Sequence, residues 1–386
     1  MTRLFLIRHA EAEGNIFRRA HGHFDGQIIG RGHKQIELLK ERFKHEKIDA
    51  AYSSDLSRTC MTASSIYGPH GLHLNTSEQL REVNMGVWED VAWGDIEHNY
   101  PEMNRLFDRD PANWHVAGSE GYHHVQKRMM GFILEIAQHH DGDTIAAFSH
   151  GFAIRSFICG ILGIQSSEIK KVPYFDNTAV SLIRYDKGEF TIEYQGDNTH
   201  LSAEHSTFAN QTWWRAKKER IYENLRFLPL NEGRDRLLIE QCNEERGKEC
   251  NACTEFAALL ADGAVGLLGL GADVGASGEG REASGCSNPV RGPGFGVRRL
   301  GSGDEDSGWI EYIYVKPELR CRNYGIQLIG QAVSVFRALG REKLRVAISA
   351  DNPALDFFGK YEFTKVSDEG GMLILEKNIR NWSDRN

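Results

Sequence analysis

An apolar, β-prone run, Leu4-Phe5-Leu6-Ile7, stops abruptly at Arg8-His9-Ala10-Glu11, with Asn15 just beyond. A strand that gives way to a guanidinium beside an imidazole suits the open edge of an α/β sheet, because such sheets bind ligands outside the carboxyl ends of their strands. Arg offers a planar fork matched to phosphate oxygens, and a neutral imidazole nitrogen can attack phosphorus. Taken alone, an Arg-His pair describes a solvated surface equally well.

Three later segments repeat the theme in order. Ile48 to Tyr52 reads as a short strand, and Ser53-Ser54-Asp55-Leu56-Ser57-Arg58 turns from it into a capped helix with Arg58 in the first turn. Leu80-Arg81-Glu82 places a carboxylate shortly before Gly86 and Trp88. Thr144 to Phe148 is a buried-strand run ending in Ser149-His150-Gly151, after which Phe152-Ala153-Ile154-Arg155 opens a helix. Singly, His9 reads as a strand-end imidazole, Arg58 as a helix-surface charge and Glu82 as a partner of Arg81. Jointly they sit at strand ends, where phosphoryl transfer needs positioning and charge stabilisation. Glu11 and Glu89 lie close enough in sequence to compete with Glu82.

These four blocks, in this order, resemble the histidine phosphatases, the superfamily that includes the cofactor-dependent phosphoglycerate mutases. The resemblance covers residues 1 to about 200, with Ala10 in place of the commoner Gly. It implies a three-layer α/β/α domain over residues 1–210 and a phosphomonoester hydrolase working through a phosphohistidine. Arg8, Arg58 and His150, with Asn15 as a substrate-binding donor, would form the phosphate cradle, and His9 would be the nucleophile. Glu82 would protonate the leaving oxygen, a role that calls for a carboxyl group tuned towards neutrality by partial burial. No metal and no cofactor is expected here. The alternative is a phosphoglycerate mutase-type phosphotransferase; the modest length from Arg58 to His150 favours hydrolysis. The stretch from Val83 to Trp114, rich in Trp, Asn, Asp and Glu, suggests a small phosphorylated metabolite as substrate.

At 386 residues the chain is long enough for two domains. A formal net charge of −8 excludes a sizeable nucleic-acid surface. No apolar run reaches a membrane span and no leader pattern precedes the first strand, so neither membrane nor nucleic-acid partners are expected and the location is expected to be cytoplasmic. Seven cysteines are scattered, with Cys250 and Cys253 the only close pair, which fits neither a disulfide framework nor a zinc site. Trp213-Trp214 followed by Arg215 to Lys218 reads as a helix packing its indoles near the domain boundary.

The second half restarts with a strand, Leu225 to Leu230, a helix over Arg234 to Cys242, and strands at Phe256 to Leu260 and Ala264 to Leu270. The composition then turns to Gly, Ser, Ala and charge, and residues 271–307 read as a disordered insertion. A strand over Gly308 to Val315, the loop Lys316 to Gly325, a helix from Ile326 to Leu339 and a strand over Leu344 to Ser349 follow. This order resembles the GNAT acyltransferases over roughly 222–380 and implies an α+β GNAT-like domain over 222–386. By that resemblance acetyl-CoA is the co-substrate, held by Val315, Arg320, Arg322, Asn323, Gly325 and Asn352, and an unknown amine is the acceptor. Glu311 is the candidate base. Cys321 and Asn323 replace glycines of the family, Phe358 stands where a Tyr often protonates the thiolate, and Glu362 replaces the Gly before Phe363. Two outcomes follow: a working N-acetyltransferase, or a catalytically degenerate module that binds acetyl-CoA or serves structure alone.

Overall fold

A computed structural model describes residues 1–211, 223–246, 252, 254–260, 263–272 and 306–380. The chain forms two compact units, Met1–Ile221 and Tyr222–Asn386. Trp213, Trp214, the basic residues 215–218, Cys250, Cys253 and residues 273–305 of the expected insertion lie outside the described residues.

In the first unit the chain runs β1 (Thr2–Arg8), α1 (Glu13–Phe17), α2 (Gly30–Phe43), β2 (Ala50–Ser53), α3 (Ser57–Tyr67), β3 (Leu74–Thr76), α4 (Trp93–Asn99), α5 (Pro101–Arg109) and α6 (Tyr122–His139). It continues with β4 (Thr144–Ser149), α7 (Gly151–Leu162), β5 (Val180–Asp186), β6 (Glu189–Asp197) and α8 (Thr207–Asn210). The sheet order is β3-β2-β4-β1-β5-β6. β3, β2, β4 and β1 are parallel, while β5 and β6 run antiparallel at one edge.

The alternation of β1 builds three layers. Leu4 and Leu6 join a core with Ile133 of α6 and Phe157 of α7, whereas Phe5 and Ile7 point the other way, to Leu39 and Phe43 of α2 and Ile66 of α3. Buried on both faces, β1 is a continuous apolar run, as expected of a central parallel strand. The helix cap read at α3 comes from elsewhere in the chain: the Asp25 carboxylate accepts from the Ser57 backbone N–H at 3.0 Å and from its hydroxyl at 2.8 Å.

The second unit contains β7 (Arg226–Pro229), α9 (Glu232–Arg246), β8 (Thr254–Leu260), β9 (Gly263–Ala272), β10 (Ser307–Val315), α10 (Tyr324–Ala338), β11 (Lys343–Ser349), α11 (Leu355–Lys360), β12 (Thr364–Glu369) and β13 (Met372–Asn378). Its sheet order is β12-β13-β11-β10-β9-β8-β7, with β10 and β11 the only parallel neighbours among the described strands. The expected insertion is too wide at both ends. Gly271 and Ala272 belong to β9 and pair with β10, and Ser307 opens β10 fully buried. Glycine there makes room: a Cβ on Gly269 would lie 2.1 Å from the Tyr312 ring, and one on Gly271 would lie 2.3 Å from the Glu311 carboxylate. No helix among the described residues is long and apolar enough to cross a membrane.

Candidate active site

β1 and β4 are parallel neighbours with Arg8 opposite Ser149, so both leave the sheet at the same edge. The His9 N–H donates to the Ser149 carbonyl, and the His9 and His150 rings come to lie 5.2 Å apart, centroid to centroid. His9 Nδ1 lies 2.7 Å from the Ala10 carbonyl. A carbonyl only accepts, so Nδ1 carries the proton and Nε2 keeps its lone pair. Burial, then the Arg58 and Arg8 cations, holds the His9 pKa well below 6.5, and His150 is held down by burial, Arg58 and His9.

Arg58 is buried at the start of α3, where Nη1 donates to the Phe24 carbonyl at 2.8 Å and Nη2 to that of Gly22 at 2.7 Å. Arg8 donates through Nη1 to the Phe175 carbonyl. Asn15 accepts from the Ala12 N–H at 2.9 Å through its amide oxygen. Arg8 Nε, both ring nitrogens of His150 and Asn177 Oδ1 are buried without a hydrogen-bond partner. Buried polar groups are ordinarily satisfied, so such a cluster is chemically suited to a polar ligand. The Arg8 and Arg58 guanidiniums close to two imidazoles suit an anion.

Glu82 is half-buried in an irregular segment. Its carboxylate accepts from its neighbour Val83 N–H at 3.0 Å and from the Phe152 and Ala153 N–H groups at 3.0 and 2.9 Å. The last two open α7, directly after His150, so the first-turn amides of that helix fix the carboxylate beside the imidazole. The two competing carboxylates are engaged elsewhere. Glu89 accepts from the backbone of Gly22, His23, Phe24 and Met85. Glu11 is fully buried against Arg31 and Gln211, with its pKa raised by burial.

In the second unit β10 pairs with β11 only from Ser307 to Ile310, although both strands run further. At Glu311 the register with β9 shifts, and Glu311 is the extra residue of this bulge. Beyond Val315 the chain turns through Cys321 and Asn323 at φ +61° and +59°, then enters α10. These are the left-handed conformations that glycine adopts without cost and Asn tolerates. Arg320 bonds the Val315 carbonyl at 2.9 Å and Glu245 at 2.5 Å, while Arg322 is exposed. Asn352 caps the turn into α11 by accepting from the Ala354 N–H. Gly325 faces the ring of Phe357, which a Cβ would approach to 2.9 Å, and Phe358 is buried against Phe357 and Phe363. Glu362, at φ +69°, pairs with the buried Lys377.

Residues 4–198 match the histidine phosphatase superfamily, branch 1. The chain belongs to this superfamily. Residues 236–363 match the acetyltransferase (GNAT) family. The histidine phosphatase half is 31% identical over 201 residues to phosphoserine phosphatase 1 of Hydrogenobacter thermophilus, covering 52% of this chain and 95% of that protein. It is 29% identical over 202 residues to phosphoglycerate mutase-like protein 4 of Arabidopsis thaliana, covering 51% of this chain and 86% of that protein. The solved structure of Bacillus stearothermophilus YhfR superposes with a TM-score of 0.51 at 26% identity, covering 52% of this chain and all of that one.

Sequence reasoning missed part of this histidine phosphatase site. Asn177 donates to the His9 carbonyl at 2.9 Å, and the Thr178 N–H reaches the carbonyls of Arg8 and His9. Thr178 holds φ +58°, a strained conformation for a β-branched residue and a mark of a functional turn. The only signal was a polar Asp176-Asn177-Thr178 run ahead of β5. His23 was missed as well; its Nε2 contacts the Glu82 carbonyl at 3.0 Å.

Proposed function

We propose that the first unit hydrolyses small phosphomonoesters through a phosphohistidine on His9. The observation that carries the reading is the neutral His9, with Nδ1–H spent on Ala10 and Nε2 left free, beside unpartnered donors of Arg8 and His150. In the first step Nε2 bonds to phosphorus, the bond to the leaving oxygen breaks, and Glu82 gives that oxygen a proton. In the second step water attacks phosphorus, the P–N bond breaks, and Glu82 takes a proton from the water. Arg8, Arg58, His150 and Asn15 hold the transferring oxygens throughout. The likeness to a phosphoserine phosphatase makes phosphoserine the first substrate to try.

For the second unit the proposal is acetyl transfer from acetyl-CoA to an amine, with Glu311 as base and the amides of residues 322 to 325 meeting the diphosphate. A module that binds acetyl-CoA without turnover is the specific rival, favoured by Phe358, which has no proton to give. A location in the cytoplasm is proposed for the whole chain.

Rapid quench with labelled phosphoserine tests the nucleophile. Wild type should yield an acid-labile, base-stable phosphoprotein, and His9→Ala should lose both this label and at least about 10³-fold in turnover. Equal labelling of the two proteins, or activity retained by His9→Ala, refutes the assignment.

A further inference from the structure

Glu82 sits in an irregular segment, from Glu82 to Asn84, yet an acid must hold its carboxyl oxygen within about 2.6–3.2 Å of the leaving oxygen. The α7 amides hold its carboxylate, but the backbone that carries the side chain needs a hold of its own. One side chain on α6 does this from behind. Arg128, with a side chain only 8% exposed, donates through Nη1 to the Gln79 carbonyl at 2.8 Å and through Nη2 to the Glu82 carbonyl at 2.9 Å. Its Nε and Nη2 also form a bidentate pair with Glu120, at 2.7 and 3.0 Å. Glu120 in turn accepts from the Asn84 N–H at 3.3 Å. Three points along the segment, Gln79, Glu82 and Asn84, are thereby tied to one ion pair. The planar fork fixes direction as well as distance, which a lysine would not do.

We infer that Arg128 is a positioning residue for proton transfer: it locks the backbone of Glu82 so that the carboxyl group meets the leaving oxygen. This rests on the reading of Glu82 as the acid. Arg128 donates to Glu120 and to the Gln79 and Glu82 carbonyls and to no side chain of the cradle, so its loss should leave the phosphate cradle intact and damage only the step that needs the proton. A misplacement of about 1 Å is enough to cost roughly 10²-fold in such a step.

The test compares the full chain with Arg128→Met, Arg128→Lys and Glu82→Gln on two substrates. Phosphoserine leaves as a poor alkoxide that needs the proton, and p-nitrophenyl phosphate leaves as a phenolate that does not. Arg128→Met should lower kcat on phosphoserine about 10- to 100-fold and on the aryl ester by no more than about threefold, with KM nearly unchanged. Arg128→Lys should recover part of the loss. Glu82→Gln should show the same split, more strongly. Equal losses on both substrates in Arg128→Met, with the split present in Glu82→Gln, overturn the inference and leave the acid standing. No split in Glu82→Gln removes the acid assignment and the inference together. If thermal melting shows that Arg128→Met does not fold, Glu120→Gln, which keeps the shape of the pair and weakens its charge, is read by the same criteria.

Discussion

The two units meet their proposed phosphate groups in opposite ways. In the first, the cradle is a buried cluster of polar atoms left without partners, Arg8 Nε and the His150 nitrogens among them, with Arg58 pinned by two carbonyls. In the second, the loop before α10 is exposed at Arg320, Cys321 and Arg322, and the Arg320 guanidinium is already spent on Glu245 and Val315. A site that is desolvated and unsatisfied before its ligand arrives pays little reorganisation at the moment of reaction. An exposed loop of backbone amides binds without that preorganisation and suits a co-substrate that must enter and leave. The difference separates a place for chemistry on phosphorus from a place for gripping a diphosphate.

Loss of one cation from each site should separate the two units most. Arg58→Ala should lower phosphatase kcat about 10²- to 10³-fold, because it deletes a buried donor to the transferring group and releases the loop at Gly22 and Phe24. Arg322→Ala should weaken acetyl-CoA affinity by less than about tenfold, as expected for a screened surface charge. Steady-state kinetics and calorimetric titration on the full chain read the two effects. Comparable losses would mean that the second site is as preorganised as the first.

Acid separates the units next. All 16 histidines of the chain lie at or before His205, none in the second unit. His9 and His150 are held well below 6.5 chiefly by burial, and burial, with Arg42 next to it, pushes His200 down to about 4. A histidine with a depressed folded pKa refuses a proton that the unfolded chain accepts. Stability is therefore full above about 6.5 and drains away as pH falls towards the folded pKa. Scanning calorimetry from pH 7 to pH 5 should show the transition of the first unit moving down while that of the second barely moves, since ordinary carboxylates titrate lower. His200→Phe should flatten part of the slope. Transitions that move together would show that the histidines do not set the acid response.

How far the sequence revealed these features depends on how local they are. The strand-end residues Arg8, His9, Arg58 and His150 were legible because apolar runs and their abrupt ends are local, and parallel strands deliver those ends to one edge. The supports were not. Asp25 capping α3, Glu89 gathering the amides of Gly22, His23 and Phe24, Arg128 reaching Gln79 and Glu82, and Asn177 holding His9 are contacts across 32 to 168 residues, and nothing local announces them. The hairpin of β12 and β13 carried a readable signal, Gly370-Gly371 at φ +61° and +86° between Glu369 and Met372, in the two-residue turn that such pairs favour. The ends of the insertion misled because glycine in β9 answers to the side chains of Tyr312 and Glu311, not to chain freedom.

The smallest effect is expected at the loop of the second unit. Acetyl-CoA at about 100 times its Kd should stabilise that unit by roughly 2.7 kcal/mol, seen as a rise in its Tm. Asn323 already holds φ +59°, so Asn323→Gly keeps the backbone path while removing the side chain that a close diphosphate would meet. Affinity should be equal or slightly higher, and the ligand-free unit slightly more stable because the left-handed conformation no longer carries a cost. Gly325→Val acts differently: its Cβ would press on the Phe357 ring at 2.9 Å, shifting α10 against α11, so affinity should fall through displaced packing. A gain in affinity at Asn323→Gly would place the diphosphate against residue 323, whereas the fall at Gly325→Val reads the packing of α10 on Phe357. Absence of any acetyl-CoA shift in wild type and in both variants would leave the second unit its GNAT-like fold and remove the coenzyme from its function.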